Sequence, residues 1–394
     1  MKNVNLLKLR GSYGQTGTES GVNRFGYLST YSLVENAICI GGNLYSGFNE
    51  GALVSPELLS WYTRDSYNYG LDYAFFQHRL KGSVDYFFYI TKGGLMSPAD
   101  RYITPLGTAL PQIKSDSEHR REGFEVSARW SDKVGNDFNY EVGTNMTYYN
   151  NLYVKNVSES LSALMNPYQR NTHQTDYYGL LLVDNGLYQS VDQVLGSPRR
   201  PESTETKLGD IVYQDINGDG KVNSEDKVRY GMPTSPHFTY GVDFLLSYKG
   251  FSLSGLFYGT GKRHMMFGVN TMKAEAQYVK NEYQLDYWTA ENTDATFPRV
   301  SLAAGVNGEN NRIESTFYLR NASFFRLKNL TLAYDFKYKL LKNVKWLTTC
   351  RVNLTGSNLF TISGVSDYFD PETTSTNGGY PVSRVYSFGL TVGF

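Results

Sequence analysis

The sequence has few cysteines, no long apolar run and no excess charge of either sign. Its 394 residues include two cysteines, Cys39 and Cys350, which are too few for a disulfide framework or a zinc site. No stretch approaches the roughly 18 consecutive apolar residues of a transmembrane helix, and residues 1–10 lack the apolar core of a signal peptide. With 38 basic and 38 acidic residues, the chain lacks the basic excess of a typical nucleic-acid-binding protein. A helical membrane protein, a disulfide-stapled domain and a nucleic-acid binder are therefore excluded.

Aromatic residues and glycine are abundant, and many of the aromatics lie in segments that alternate with a period of two. Tyrosine, phenylalanine and tryptophan make up 15% of the chain, which also has 38 glycines. These residues favour strands and turns. In residues 138–148 the even positions are mainly apolar and the odd positions mainly polar. Because successive strand side chains point to opposite faces, such a segment has one apolar and one polar face.

The alternating segments predict about ten strands, which are longer than the usual globular strand. They lie near residues 5–13, 66–77, 79–91, 121–131, 137–149, 237–248, 251–261, 323–337, 346–360 and 384–394. Short turns follow the second, fourth, sixth and eighth strands, and long loops follow the others. This arrangement is typical of a membrane-spanning barrel. Lipid offers no hydrogen-bond partners, so every backbone N–H and C=O group of such a barrel pairs with a neighbouring strand. The sequence therefore predicts an all-β fold, a transmembrane antiparallel β-barrel with long extracellular loops.

The last strand predicts the orientation of the barrel. Outer-membrane barrels resemble one another in a final strand that alternates apolar residues and ends in an aromatic one, and Phe394 fits that pattern. With a periplasmic C-terminus, the short turns face the periplasm. The loops near residues 14–65, 92–120, 150–236, 262–322 and 361–383 then face outward. Aromatic residues on the strands are expected to contact lipid and to form girdles at its interfaces.

Several segments resemble the SusC/RagA family of TonB-dependent outer-membrane transporters, in the order in which that family carries them. They are Leu7–Gly17 (LKLRGSYGQTG), Gly209–Gly220 (GDIVYQDINGDG), Phe324–Leu330 (FFRLKNL), Gly356–Thr361 (GSNLFT), Asp370–Glu372 (DPE) and Tyr380–Pro381 (YP). The resemblance implies import of glycans or peptides across the outer membrane. It also implies a SusD-like surface lipoprotein as a lid, and energy from the inner-membrane proton gradient through TonB.

The resemblance also implies a larger barrel than this chain provides. A complete transporter of that family would have 22 strands around a plugged lumen. We therefore expect residues 1–394 to be the C-terminal segment of the receptor barrel, about ten strands, with the plug, TonB box and signal peptide absent. The remaining barrel and the plug, through which TonB acts, would come from another segment. Two alternatives stay open: a passive porin or structural barrel that needs no TonB, and a secreted carbohydrate-binding β-protein.

One loop has the spacing of a calcium site. Residues 215–226 read D-x-N-x-D-G-x-V-x-x-x-D, which places side-chain oxygens at loop positions 1, 3, 5 and 12 and a backbone carbonyl at position 7. The predicted ligands of a structural Ca²⁺ are Asp215, Asn217, Asp219, the carbonyl of Lys221, and Asp226. Asp226 stands where the usual loop has glutamate, which resembles the dockerin variant. The alternative is a metal-free turn, because Asn, Asp and Gly favour turns in any case.

No catalytic constellation is visible, so we expect a protein that is not an enzyme. The five histidines are isolated, without metal-ligand or general-base spacing. Substrate-binding residues are not identifiable, although loop aromatics could stack on sugars or peptide side chains. The candidates are Tyr177, Tyr178, Tyr188, Tyr287 and Trp288, for which packing within the loops is the favoured alternative. Residues 274–280 have helical propensity and predict a short helix.

Overall fold

The chain forms one large antiparallel sheet, with smaller elements in its long connections. The computed structural model describes residues 3–18, 28, 30–50, 62–96, 113–157, 159, 161–171, 175–266, 285–300, 306–365, 369–373 and 382–394. The strands of these ranges are β1 (Val4–Thr18), β2 (Tyr31–Ile40), β3 (Asn43–Glu50), β4 (Tyr62–Phe75), β5 (Leu80–Lys92), β6 (Leu95–Met96), β7 (Ile113–Lys114), β8 (Glu118–Val134), β9 (Phe138–Lys155), β10 (Gly179–Leu181), β11 (Asp184–Leu187), β12 (Ile211–Tyr213), β13 (Val228–Tyr230), β14 (Phe238–Tyr248), β15 (Phe251–Thr260), β16 (His264–Met266), β17 (Leu319–Asn321), β18 (Phe324–Asp335), β19 (Thr349–Ser363) and β20 (Val385–Gly393). The helices are α1 (Leu161–Met165) and α2 (Val191–Gly196), and 3₁₀ turns cover Ser224–Asp226, Val306–Arg312, Thr316–Tyr318 and Phe336–Tyr338.

Ten long strands follow one another through the main sheet in chain order. The order is β1-β4-β5-β8-β9-β14-β15-β18-β19-β20, and every pairing is antiparallel. These are the ten strands that the alternation predicts, so the all-β architecture and its number of strands are confirmed. The remaining ten described strands form two-stranded sheets within the connections, and all of them except β2 and β3 have two to four residues. We call the end of the main sheet with long connections the outer end, and the end with tight turns the inner end.

Several strands continue further toward the outer end than the sequence predicts. β1 runs to Thr18 rather than to residue 13, and β9 runs to Lys155 rather than to residue 149. Residues 14–18 contain no apolar side chain, so the hydrophobic alternation stops while the backbone pairing with β4 goes on. Hydrophobic periodicity marks the apolar band of a strand, and backbone pairing extends beyond it.

The connection between β18 and β19 is longer than predicted. The sequence predicts strands over 323–337 and 346–360, whereas β18 ends at Asp335 and β19 begins at Thr349. The Asp335 side chain accepts a hydrogen bond from the backbone N–H of Lys337 and caps the 3₁₀ turn at Phe336–Tyr338. A polar cap of this kind competes with the strand ladder and ends it.

The two faces of the main sheet differ in character, as the alternation predicts. On the apolar face the register places Tyr86 beside Tyr69 and Phe124 beside Tyr86. On the polar face it places Asp72 beside Lys8 and Ser83 beside Asp72. Val142 and Leu332 of the apolar face, on interior strands of the sheet, are 42% and 47% exposed, and an exposed apolar face suits contact with lipid.

Aromatic side chains on the apolar face gather near both ends of the strands. Toward the outer end the rings of Tyr67 and Phe88 stack with centroids 4.6 Å apart. At the inner end Phe251 and Tyr334 lie 4.4 Å apart, and Trp346 stacks on Phe394 at 5.7 Å. On β4 the distance between its two bands, from residue 67 to residue 75, is about 26 Å along the strand at roughly 3.3 Å per residue. Because the strands of outer-membrane barrels tilt by roughly 35–45°, this length corresponds to a height of about 20 Å, somewhat less than the apolar band of about 25 Å.

Lys249 and Gly250 form the tightest turn of the inner end. Both have positive φ, 47° and 86°, between the paired residues Tyr248 and Phe251. Two central residues with positive φ match the twist of a hairpin. A Cβ at Gly250 would lie 2.9 Å from the Cβ of Tyr338, so both the conformation and the available space require glycine there.

The tightest apolar packing lies in the outer connections rather than in the sheet. We call this cluster the outer-loop core; its buried members are Leu181, Leu182, Leu187, Ile211, Tyr213, Val222, Met265, Met266, Tyr318, Leu319, Ala322 and Val365. Tyr318 has no exposed surface, and Ile211 and Val222 are each 1% exposed. The sequence predicts only loops in these segments, because short elements are too brief to show a period.

The helices and the two cysteines can also be compared with what the sequence predicts. No helix in the described ranges has the length and apolar character needed to cross a membrane. The helix predicted over residues 274–280 lies outside the described residues. Cys39 is exposed, Cys350 is half-buried and both are free thiols.

Candidate functional site on the polar face and in the outer loops

Charged side chains on the polar face pair with one another across neighbouring strands. Arg10 of β1 donates to Asp72 of β4 at 2.8 Å and to Asp85 of β5 at 3.0 Å. The guanidinium passes over Gly70, where a Cβ would lie 2.7 Å from it. A second cluster of this kind joins Arg129, Glu141 and Asp243. In both clusters the positive charge of one arginine is matched by two carboxylates.

Four polar-face side chains near the outer end stack in a row across four strands. The guanidinium carbon of Arg64 on β4 lies 4.5 Å from the ring centroid of Tyr89 on β5. That of Arg121 on β8 lies 5.8 Å from the Tyr89 centroid and 4.8 Å from the centroid of Tyr149 on β9. We call these four residues the cationic ladder. An open cavity of about 320 Å³ lies against it, lined by Arg64, Tyr89, Thr91, His119, Arg120, Arg121, Asn151 and Thr175.

Arg326 of β18 is the most completely buried charge on the polar face. It is 2% exposed and its Nη2 donates to Asp370 at 2.9 Å. Its Nη1 donates to Glu372, and its Nε donates to the Thr361 hydroxyl at 2.8 Å. Lys328 also contacts Glu372, at 3.0 Å. The FFRLKNL and DPE segments, 44 residues apart in the chain, are therefore joined by a network of buried charges.

A local irregularity in β19 accompanies this network. The pairing of β18 with β19 shifts register between Leu327 and Asn329, opposite the GSNLFT segment. Asn358 in that segment has φ of 54°, and its side-chain amide donates to the Ser383 carbonyl at 2.9 Å. A cavity of about 450 Å³ lies here, lined in part by Arg326, Asn358 and Asp370. Tyr380 and Pro381 lie outside the described residues.

Two phenols of the outer-loop core, and His264 next to its member Met265, have shifted pKa values. Burial raises the pKa of the Tyr213 phenol, and burial also raises the pKa of the Tyr318 phenol. The Tyr213 hydroxyl donates to the Asn310 carbonyl at 2.8 Å. Burial lowers the pKa of the His264 imidazole, whose Nδ1 accepts a hydrogen bond from the Met232 N–H at 2.6 Å. These groups therefore stay neutral near pH 7 and behave as parts of a packed interior.

Asp210 is the polar centre of the outer loops. It has no exposed surface, and it accepts hydrogen bonds from the amides of Asn307 at 2.9 Å and Asn311 at 2.8 Å. Arg299 forms an ion pair with it at 2.6 Å, and the Lys207 N–H donates to it at 2.9 Å. One carboxylate therefore joins the GDIVYQD segment to Arg299, Asn307 and Asn311, about a hundred positions later in the chain.

The loop aromatics singled out in the sequence mainly pack within the loops. Tyr188 is 3% exposed, and Tyr178 and Trp288 pack against the outer-loop core. Trp288 also lies over Gly209, where a Cβ would be 2.4 Å from the indole ring, and its Nε1 donates to Gln189. Tyr177 and Tyr287 are half-buried. The structure therefore favours a packing role for Tyr178, Tyr188 and Trp288.

The DINGDG segment is a turn held by its own side chains. Asp215 accepts from the N–H groups of Gly218 and Gly220, each at 2.7 Å, and both glycines have positive φ. Asn217 Oδ1 accepts from the Asp219 N–H, and Asp219 Oδ1 accepts from the Lys221 N–H. Asp226 is fully buried and accepts from the Ile216, Asn217 and Asn223 N–H groups. In the part of the chain that the structure describes, no three His, Cys, Asp or Glu side chains converge as metal ligands.

Sequence reasoning alone does not identify Asp210, Arg326, Arg64 and Arg121 as candidate site residues. Asp210 and Arg326 lie within segments that resemble the SusC/RagA family, and that resemblance was the available signal. Arg64 and Arg121 lie outside those segments and come from different strands. Only the register of β4, β5, β8 and β9 brings them to one cavity.

The sequence is similar to those of known outer-membrane receptors. No protein-family model matches the chain. It is 27% identical over 427 residues to TonB-dependent receptor P3 of Formosa agariphila, covering 99% of this chain and 40% of that protein. It is 26% identical over 413 residues to TonB-dependent receptor SusC of Bacteroides thetaiotaomicron, covering 100% of this chain and 38% of that protein. The chain thus spans about two fifths of the length of these curated relatives.

The fold is similar to that of a solved outer-membrane transporter. The RagAB peptide importer in its open-open state superposes with a TM-score of 0.70 at 20% identity, covering 100% of this chain and 41% of that chain. Its closed-closed state gives a TM-score of 0.67 with the same coverage. The prediction of an antiparallel outer-membrane β-barrel sheet is confirmed, and with it the location in the outer membrane. Over its whole length, the chain is similar to TonB-dependent receptors of the SusC/RagA family.

Proposed function

We propose that this chain forms part of the wall of an outer-membrane importer that works by binding and passage rather than by chemistry. The observation that carries the proposal is the division of the ten-stranded sheet into an exposed apolar face and a polar face with paired charges. An apolar face suits lipid, and a polar face suits a water-filled lumen. The similarity to TonB-dependent receptors supports energy coupling through TonB, and the similarity in fold to the RagAB peptide importer supports peptides as one class of cargo.

The edges of the sheet support a larger assembly. Among the described residues, β1 and β20 each pair with one neighbour, so each leaves one edge open. Unpaired backbone groups are costly in lipid, and further strands would have to cover both edges. The proposal therefore places residues 1–394 as the C-terminal segment of a receptor barrel, with the remaining barrel, the plug and the contact with TonB elsewhere. A SusD-like surface lipoprotein is the proposed partner over the outer loops.

The test is uptake of fluorescent oligosaccharides and oligopeptides by cells that carry or lack the protein. We expect uptake of at least one class to require the protein and to stop when a protonophore collapses the proton gradient. Uptake that depends on the protein but continues under the protonophore would instead indicate a passive porin. A protein that does not fractionate with the outer membrane and shows no heat-modifiable gel mobility would contradict both, and would favour a secreted carbohydrate-binding protein.

We further propose that the turn at residues 215–226 binds one structural Ca²⁺. Oxygen atoms of Asp215, Asn217, Asp219 and Asp226 and the carbonyl of Lys221 are the candidate ligands, and hard oxygens suit this cation. The turn is already held in shape by N–H groups that donate to Asp215 and Asp226. The ion would fix the turn against the outer-loop core, since Val222 of the same turn is one of its members.

The calcium proposal predicts one bound ion per chain. Protein purified without chelators should contain calcium by elemental analysis, and EDTA should lower the stability of the outer loops. At a free calcium concentration roughly 100 times Kd, binding stabilises the folded state by about 3 kcal/mol. Asp215→Asn should abolish the calcium response, whereas Asp192→Asn, at the exposed start of α2, should not. Calcium-free protein whose protease resistance is the same with and without EDTA would contradict the proposal.

A further inference from the structure

The cationic ladder differs from the other arginine clusters of the polar face in its charge balance. Arg10, Arg129 and Arg326 each form ion pairs with two carboxylates. Within the described ranges, Arg64 and Arg121 form no ion pair. Arg121 Nε donates instead to the neutral side chain of Asn151 at 2.5 Å. The ladder therefore presents two positive charges that the described carboxylates do not match.

The nearby carboxylates are held by other groups. Asp176 accepts a hydrogen bond from the Asn151 amide at 2.6 Å and lies 2.8 Å from His237 Nε2. Glu118 lies 3.9 Å from Lys92. Arg120, the next residue along β8, points to the apolar face and pairs with Glu122 at 2.6 Å. None of these contacts neutralises Arg64 or Arg121.

The aromatic rings fix the two guanidinium groups in place. Tyr89 lies between Arg64 and Arg121, and Tyr149 covers the far side of Arg121. Stacking on an aromatic ring uses the flat face of a guanidinium and leaves its N–H groups free to donate in the plane. A planar guanidinium with free N–H groups is suited to bind a carboxylate through two parallel hydrogen bonds.

We infer that the cavity beside the cationic ladder is a subsite for a carboxylate group of the transported solute. This inference rests on the proposed import function and adds the chemical class of the cargo. The cavity of about 320 Å³ has room for a group the size of one acidic residue or one sugar acid, and it lies at the outer end of the polar face. Tyr89 lies between the two guanidinium groups, 4.5 Å from Arg64 and 5.8 Å from Arg121, so one of them donates to the carboxylate. The positive charge of the other adds to the attraction.

The experiment measures binding of two matched pairs of probes to the purified full-length protein. One pair is a glutamate-containing pentapeptide and the same peptide with glutamines; the other is a tetrasaccharide of galacturonic acid and the neutral galactose tetrasaccharide. We expect the acidic member of one pair to bind more tightly than its neutral partner. The double variant Arg64→Gln with Arg121→Gln should weaken the acidic member by about 10- to 100-fold, the range for hydrogen bonds to charged groups. Its neutral partner should change little.

Control variants show whether the effect of the double variant comes from the guanidinium groups of Arg64 and Arg121, from the loss of any arginine on this face, or from misfolding. Arg351→Gln removes an arginine of the same face at the inner end, where it donates to Ser252, and should leave the acidic preference unchanged. Arg64→Lys and Arg121→Lys keep the charge without the planar fork and should give intermediate binding. Heat-modifiable gel mobility verifies that each variant barrel is folded.

Failure of the carboxylate subsite and failure of the import function give different results. An equal loss for acidic and neutral probes, an unchanged acidic preference in the double variant, or no binding of either acidic probe at about 1 mM would overturn the subsite. Proton-gradient-dependent uptake of neutral solutes would persist in that case. Loss of all gradient-dependent uptake from the wild type would instead overturn the import function itself.

Discussion

Asp210→Ala is expected to destabilise the outer loops by about 3–5 kcal/mol, the cost of removing one partner from a buried ion pair. The carboxylate has no exposed surface, and its loss leaves Arg299 without its partner at 2.6 Å. It also leaves the amides of Asn307 and Asn311 without their acceptor. Few other substitutions remove so many buried contacts at once.

The measurement for Asp210 is limited proteolysis of the folded protein in outer membranes. Cleavage within the loops should become about 100-fold faster or more, since each 1.4 kcal/mol is a factor of ten in the open population. The main sheet has its own pairing and should keep its heat-modifiable mobility. The matched control is Asp192→Ala, which removes an exposed aspartate from α2. Equal protease resistance of the wild type and Asp210→Ala would show that this carboxylate does not stabilise the loops.

Arg326→Met is expected to have an effect of similar size, about 3–5 kcal/mol, at the outer end of β18. Methionine fills much of the space of the arginine stem but leaves Asp370 and Glu372 near each other without the guanidinium that joins them. Of these two carboxylates, Lys328 pairs with Glu372. We expect residues 369–373 to detach from the sheet and to become accessible to protease.

Restoring one charge should restore only part of the Arg326 network. Arg326→Lys supplies a positive charge but cannot donate to Thr361, Asp370 and Glu372 with one planar group. Its protease sensitivity should therefore fall between those of the wild type and Arg326→Met. Arg351→Met, at an exposed arginine of β19, is the control and should change little. A lysine variant as sensitive as the methionine variant would mean that shape, and not charge, holds this segment.

The sequence was sufficient to predict the main sheet because its physical signal is strong and repeated. Lipid on one face and water on the other impose a period of two on every strand, and residues 138–148 show that period with Thr144 as the one polar residue of the apolar set. The predicted strand at 251–261 differs from β15 by one residue at one end. Where strands leave the apolar band, as β1 does after Tyr13, the period disappears and the prediction ends early.

The candidate sites were less predictable because they depend on contacts between distant segments. The cationic ladder takes one residue from each of four strands, and a shift of one residue in register would turn Arg121 to the opposite face. The outer-loop core draws on Leu181, Ile211 and Tyr318, which lie in elements of three residues. Elements this short show neither a strand period nor a helix period. Family-like segments marked Asp210 and Arg326 but did not reveal their partners.

The chain-order pairing of the sheet has a consequence for the sequence of events during folding. The strands of the main sheet pair in the order in which they occur in the chain, so they can be added one after another. The long outer connections raise the loop-closure entropy only slowly with their length. Asp210, in contrast, binds Arg299, Asn307 and Asn311, which follow it by 89, 97 and 101 positions. Between them lie β14 and β15, whose pairing brings the two loops to the same end of the sheet. We therefore expect the outer-loop core to close after that hairpin has formed, so that protease cleavage near Asp210 would mark barrels whose assembly is unfinished.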